Sequence, residues 1–246
     1  MGRQVTAARG AGGRPEGLVG ATVEAVESRG KHLLIRFSGD VVLHTHMGMT
    51  GSWYVQLRGE PWRKPAGQAR LVIEAGEHEA VCFAAPVVEM LAGRELVTHP
   101  VLRRLGPDVL LPGAAEPGEV VARARARAGE SATIGEALLD QQVVSGIGNI
   151  FRCEALFLRG MAPATLVKEL GDEELVEVFA TASRLMQSSA RGPRGFNRSF
   201  GPGGQGPWVY RRSGRPCRRC STLVRRAVLG RHARGVYWCP TCQPPG

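Results

Sequence analysis

Residues 217–242 read CRRCSTLVRRAVLGRHARGVYWCPTC, in which Cys217, Cys220, Cys239 and Cys242 form two CxxC pairs separated by eighteen residues. A CxxC knuckle turns two thiols toward one point, and two knuckles complete a tetrahedral set of four sulfurs that suits a zinc ion. The residues between them read as two short strands around Gly230, so a zinc-ribbon hairpin is expected. A disulfide framework or a redox CxxC would use the same residues, but both fit poorly with two pairs on one small hairpin. With protein at all four ligand positions, the Zn2+ is expected to be structural, one ion per chain.

The charge around this segment is one-sided. Residues 191–246 hold twelve arginines and no Asp or Glu, whereas residues 1–190 carry 20 basic and 22 acidic groups. The whole positive excess of a chain with net charge +10 therefore lies in its last quarter. Such a field favours a polyanion, and duplex DNA or RNA is the expected partner, with salt-sensitive binding. Only three of the 32 basic residues are lysines (Lys31, Lys64, Lys168), a bias that GC-rich coding DNA explains without any function. Upstream of the ribbon, residues 191–207 (RGPRGFNRSFGPGGQGP) have six glycines and three prolines and read as a flexible linker or mobile binding loop.

Further toward the N-terminus the apolar period is helical. EVVARARARA, Asn149–Arg159 and Asp172–Ser188 read as helices, and ATIGEALLDQQVVSG spaces Ile134, Leu138, Leu139 and Val143 for a buried stripe. From residue 18 to about 86 the period is two instead. ATVEAVES, KHLLIRF, VVLHTHM, GSWYVQL, ARLVIEA and EAVCFAA alternate like the strands of an antiparallel sandwich or barrel. The GEPWRKPAGQ stretch is a surface loop, and Cys82 and Cys153 sit in apolar runs as core residues. Composition is ordinary for a folded protein at 43% hydrophobic and 22% charged residues. No apolar run is long enough to span a bilayer, and MGRQVTAARGAGGR has no apolar signal core, so a soluble cytoplasmic protein is expected.

Three places outside the cysteines carry possible chemistry. In SGIGNIF, residues 145–151, Gly146 and Gly148 permit a tight turn and Asn149 suits a helix N-cap, an arrangement that can seat a phosphate. Most such turns are only turns. Arg234 lies on the ribbon hairpin in an acid-free region, where a groove of nucleic acid could receive it. Met49, in HMGMTG, sits where a strand run breaks at glycines; such a Met usually fills a core, but at a DNA-facing tip it can wedge between bases.

SRGKHLL, HMGMTG, LRRLGPD, ALLDQQVVSGIGNIFRCEALF and GVYWCPTCQ occur in this order along almost the whole chain. Together they resemble the Fpg/Nei family of DNA glycosylase/AP lyases, most of all its endonuclease VIII branch. The resemblance implies an α+β multidomain chain: an antiparallel β-sandwich over 1–110, a helix–two-turn–helix domain over 111–190, a flexible loop over 191–207 and a zinc-ribbon finger over 208–246. It implies removal of oxidised bases from damaged duplex DNA through a Schiff base, then strand cleavage by β,δ-elimination. Residue by residue, Lys31 matches the lysine that assists at the lesion backbone, and Met49 the residue that fills the gap left by the flipped nucleotide. Asn149 and Arg234 match the two phosphate-gripping residues, and the four ribbon cysteines match the zinc ligands. A monomer with no small-molecule cofactor beyond zinc is expected.

Family members open with Pro-Glu, whose proline amine attacks the sugar and whose glutamate donates a proton, followed by an amphipathic helix. The present sequence opens Met-Gly-Arg-Gln-Val-Thr, which resembles the family just after that helix. The expectation is therefore a start upstream of Met1, or else a catalytically impaired zinc protein that binds damaged DNA. Pro15-Glu16-Gly17 mimics the opening tripeptide, but the nitrogen of an internal proline is an amide and no nucleophile. Ala84-Ala-Pro-Val-Val-Glu-Met90 and Gly135 stand where the oxidised-purine branch has an Arg-Phe wedge and a lysine. Both differences point to oxidised pyrimidines.

Overall fold

A computed structural model describes residues 2–10, 14–111, 113–191, 200, 206–230 and 233–245. Most of the stretch read as a flexible loop, 192–199 and 201–205, lies outside the described residues. The chain forms two compact units, Met1–Arg104 and Leu105–Gly246. None of the described helices is long and apolar enough to cross a membrane.

The first unit contains β1 (Ala7–Gly10), β2 (Val23–Arg29), β3 (His32–Phe37), β4 (Val41–His46), β5 (Ser52–Leu57), β6 (Ala69–Ala75), β7 (His78–Phe83), β8 (Val87–Ala92) and a single-turn helix, α1 (Glu95–Thr98). The strands form two antiparallel sheets, β1-β6-β7-β5 and β2-β3-β4-β8. Alternation sends Phe37, Leu43 and Val88 of one sheet and Leu71, Ile73 and Cys82 of the other into a shared core, which makes the pair a sandwich. Six of the eight strands carry the period-two pattern read above. β1, AARG, is too short and polar to show it. β8, VVEMLA, is apolar at five of its six positions, so the alternation that marks a half-buried strand is absent. Pro15–Leu18 is a 3-10 turn with Pro15 buried, in keeping with a structural role.

In the second unit, α2 (Pro117–Ala128), α3 (Ile134–Ala137), α4 (Asn149–Arg159) and α5 (Asp172–Ala190) precede a hairpin of β9 (Arg225–Leu229) and β10 (Arg234–Trp238). Helix α2 is less solvated than its charges suggest, because Val120, Val121 and Ala124 are buried. The stripe Ile134, Leu138 and Val143 is buried too, while Leu139 is only half-buried. That stripe is not one helix. Thr133 and Glu136 close a capping box over α3, which stops after one turn. Beyond it the Gln141 carboxamide donates to the carbonyls of Leu139 (2.8 Å) and Ile147 (3.2 Å) and accepts from the Gly146 amide (3.1 Å). These side-chain bonds compete with the helical ladder and hold residues 138–148 as consecutive turns.

Candidate nucleic-acid interface and metal centre

The four ribbon cysteines converge. Cys220 Sγ lies 3.4 Å from Cys239 Sγ and 3.5 Å from Cys242 Sγ, and Cys217 Sγ lies 4.0 Å from Cys242 Sγ. All four ligand atoms fall within 4.8 Å of one another. Sulfurs about 2.3 Å from a tetrahedral zinc stand roughly 3.8 Å apart, so the set matches that geometry. No pair approaches the S–S bond length of about 2.05 Å, which removes the disulfide reading. The Arg219 amide donates to Cys217 Sγ at 3.4 Å, the turn a CxxC knuckle makes around a thiolate. Thiolates this close repel one another unless a cation lies among them, so the cluster can hold a metal ion.

This knuckle is seated on α4. Cys153 and Phe157 of the helix pack with Val209, Cys217, Val224, Val236 and Cys239. Glu154, fully buried, accepts the backbone N–H groups of Trp208 (2.6 Å), Val209 (3.1 Å) and Tyr210 (2.9 Å). Burial raises its carboxyl above the usual range, against the lowering effect of those bonds. Gln243, also fully buried, accepts from the Cys239 amide (3.0 Å) and donates to the Met161 carbonyl (2.8 Å). Neither residue was singled out in the sequence, where each looks like an ordinary polar residue of its segment.

Asn149 and the Arg234 turn are brought together by the same packing. Asn149 Nδ2 donates to the carbonyl of Gly235 at 2.8 Å. Asn149 is the first residue of α4, and Gly148 rather than Asn149 occupies the N-cap, in extended backbone that any residue could adopt. Gly146 is the glycine the turn requires: its φ is +108°, and a Cβ would meet Val109 Cγ2 at 3.1 Å and Met186 Cε at 3.3 Å. Arg234 is exposed, and its guanidinium makes no hydrogen bond or ion pair among the described residues.

Arg152, one turn into α4, went unnoticed in the sequence because a lone arginine on a helix is usually solvated. It is completely buried. Nη2 donates to Asn149 Oδ1 (2.5 Å) and the Gly235 carbonyl (3.2 Å), Nη1 to the Gly135 carbonyl (3.3 Å), and Nε has no partner. Its bond to Oδ1 turns the Asn149 carboxamide so that Nδ2 faces the Arg234 strand. No carboxylate forms an ion pair with Arg152 among the described residues, and desolvation pulls its pKa below the ordinary value. The second unit thus gathers a buried cation, an exposed one and an amide donor at one helix start, an arrangement suited to an anion.

In the first unit, Gly30 and Lys31 form the two-residue turn between β2 and β3, with Gly30 at φ +61° as a tight hairpin demands. Lys31 is half-buried. Met49 is 85% exposed on the turn between β4 and β5 and fills no core. His44, Glu89 and His99 form a further cluster beside the Lys31 hairpin, which the sequence reading passed over because its members lie far apart in the chain.

Residues 4–86 match the formamidopyrimidine-DNA glycosylase N-terminal domain, and residues 105–198 match the formamidopyrimidine-DNA glycosylase H2TH domain. The probable endonuclease 8 2 of Streptomyces coelicolor is 39% identical over 229 residues, 92% of this chain and 80% of that protein. Endonuclease 8 of Escherichia coli is 32% identical over 228 residues, 92% of this chain and 85% of that protein. Among solved structures, Lactococcus lactis formamidopyrimidine-DNA glycosylase bound to DNA containing an AP site superposes with a TM-score of 0.83 at 20% identity, covering 99% of this chain and 93% of that one. The same enzyme with DNA containing Fapy-dG gives 0.81 at 19% identity, with the same coverage. At that identity the structural likeness speaks for the fold.

Proposed function

The chain belongs to the Fpg/Nei family of DNA glycosylases, and from that premise we infer that it is a base-excision-repair DNA glycosylase/AP lyase acting on damaged duplex DNA. The observation that carries this reading is the match to endonuclease 8 proteins across 92% of the chain. Residues 84–90 and Gly135, which depart from the oxidised-purine branch, favour oxidised pyrimidines as the bases removed. A damaged-DNA-binding zinc protein without lyase activity is not favoured, since the matched relatives bear enzyme names.

In this reaction an amine of the protein attacks C1′, the base departs, and an imine links protein to sugar. Loss of a C2′ proton expels the 3′ phosphate, loss of a C4′ proton then expels the 5′ phosphate, and water hydrolyses the remaining imine to free the amine. Within it, Lys31 assists at the lesion backbone and Met49 occupies the space vacated by the flipped nucleotide. Asn149 and Arg234 grip phosphate. The roles of Lys31 and Met49 rest on the family resemblance; those of Asn149 and Arg234 are further supported by their joint placement at the start of α4. Cys217, Cys220, Cys239 and Cys242 hold one structural zinc ion, which shapes the hairpin and takes no part in the chemistry. We take the protein to be a cytoplasmic monomer, with the working division 1–110, 111–190, 191–207 and 208–246.

The test is strand cleavage and borohydride trapping on duplexes carrying an AP site or an oxidised pyrimidine, with the protein purified from its own cell. Cleavage with δ-elimination products and a trapped covalent adduct is expected. Intact strands with no adduct would sink the reading.

A further inference from the structure

One face of the β2-β3-β4-β8 sheet carries a run of imidazoles that ends at the Lys31 turn. His32 faces His46 across β3 and β4, and His44 faces Glu89 across β4 and β8. His32 Nδ1 lies 2.8 Å from His44 Nε2, and Glu89 Oε1 lies 2.6 Å from His44 Nδ1 and 2.9 Å from His99 Nε2. The amides of Val101 (3.3 Å) and Leu102 (3.1 Å) donate to His99 Nδ1.

These contacts assign the protons. His99 Nδ1 accepts, so its Nε2 carries the hydrogen that goes to Glu89. A metal ion at His44, Glu89 and His99 would have to displace that hydrogen and leave an imidazolate, so the cluster suits protons better than a cation. His44 Nδ1 likewise donates to Glu89, which leaves the Nε2 of a neutral His44 as an acceptor. His32 must then donate through Nδ1. Its Nε2 is left as a lone pair, with no hydrogen bond among the described residues and with the ring half-exposed beside Lys31.

His32 is thus neutral, but wired through His44 to a carboxylate. Burial, then the neighbouring His46, His44, His99 and Lys31, lower its pKa to about 4. Burial also lowers His44, partly offset by Glu89. Burial pushes Glu89 upward, yet the bonds from His44 and His99 outweigh it and keep the carboxyl ionised. Charged groups on β2 and β3 include Arg29, opposite His32, and the Glu27–Arg36 ion pair at 2.9 Å.

We propose that His32 is a proton-linked ligand for a DNA backbone phosphate: the arriving phosphate draws a proton onto His32 Nε2, and Glu89 stabilises the resulting imidazolium through His44. This rests on the DNA-repair reading above and adds a ligand to its first unit. In chemical terms one solvent proton is bound as a new Nε2–H, no bond between heavy atoms changes, and His32 then donates from Nδ1 to His44 and from Nε2 to the phosphate oxygen. Glu89 and His44 are positioning residues.

The sign follows from linkage. The complex has the higher His32 pKa, so binding takes up a proton and tightens as pH falls through the pKa of the complex. It levels off near the free value of about 4. An opposite charge in contact raises a pKa by about 1–3 units, so a rise of about two tightens binding about tenfold between roughly pH 7.5 and 5.

The experiment measures Kd for a duplex bearing the uncleavable abasic analogue tetrahydrofuran at those two pH values, with calorimetry in two buffers to count protons. The native protein is expected to bind about tenfold tighter at the lower pH with net proton uptake. His32→Gln should flatten the ratio to within about twofold, and Glu89→Gln should reduce it well below the native value. A native ratio that survives in His32→Gln, or in Glu89→Gln should the first variant not fold, overturns the inference while leaving the DNA-repair reading intact. Native protein that fails to bind the duplex at all overturns both.

Discussion

At the residue scale, the difference between Arg234 and Arg152 shows how burial divides one chemistry into two jobs. Arg234 is exposed and makes no hydrogen bond or ion pair among the described residues, whereas Arg152 is fully buried and spends its donors on Asn149, Gly235 and Gly135. Arg234→Ala is expected to weaken binding to damaged and intact duplex alike, and to reduce the salt slope of log Kd by about one, because a phosphate contact carries no base information. Titrations of both duplexes across a salt series check this; a loss confined to one lesion would contradict it. The sequence points to Arg234 because it lies on an acid-free hairpin, and its contact with phosphate is part of the proposal. It does not point to Arg152, since nothing in FRCEALF says which helix face is covered.

At the element scale, α4 organises its unit by holding other segments against itself. Its buried Glu154 collects three consecutive backbone N–H groups from residues 208–210, which anchors the chain where it enters the ribbon. Glu154→Ala leaves three backbone donors without their acceptor at a fully buried position. A destabilisation of roughly 3 kcal/mol is expected, from hydrogen bonds to a charged acceptor worth about 1.5–3 kcal/mol each and only partly replaced. Urea unfolding measures it, and a change below about 1 kcal/mol would show that residues 208–210 are held by something else. The helices were legible from their 3.6-residue period. Their interruption between α3 and α4 was not, because the Gln141 bonds that impose turns on an apolar stripe depend on a fold already formed.

At the scale of the whole molecule, the two units answer differently to metal. The first has its own sandwich core, while the hairpin of the second has its four thiols within 4.8 Å of one another. Chelation of the proposed zinc is expected to abolish DNA binding while most of the β-sheet circular dichroism remains, since metal binding and local folding of such a knuckle are coupled. Undiminished binding by metal-free protein would remove the hairpin from the interface. The charge asymmetry sharpens this expectation, because the cysteine knuckle lies in the acid-free last quarter of the chain.

What the sequence determined by itself was whatever is written in local spacing. Two CxxC pairs at a fixed separation specify a four-sulfur cluster, and period two followed by period 3.6 specifies a sandwich followed by helices. An arginine run without acids specifies the sign of the partner. These signals survive in one dimension because each depends on residues a few positions apart. Tertiary structure alone decided which polar groups lose water. Arg152, Glu154 and Gln243 look like surface residues until packing buries them, and His32, His44, Glu89 and His99 become one hydrogen-bonded chain only when three strands and the segment after α1 meet in register. Burial and register are properties of long-range contacts, so the groups whose protonation and orientation they control could be found only in the folded chain.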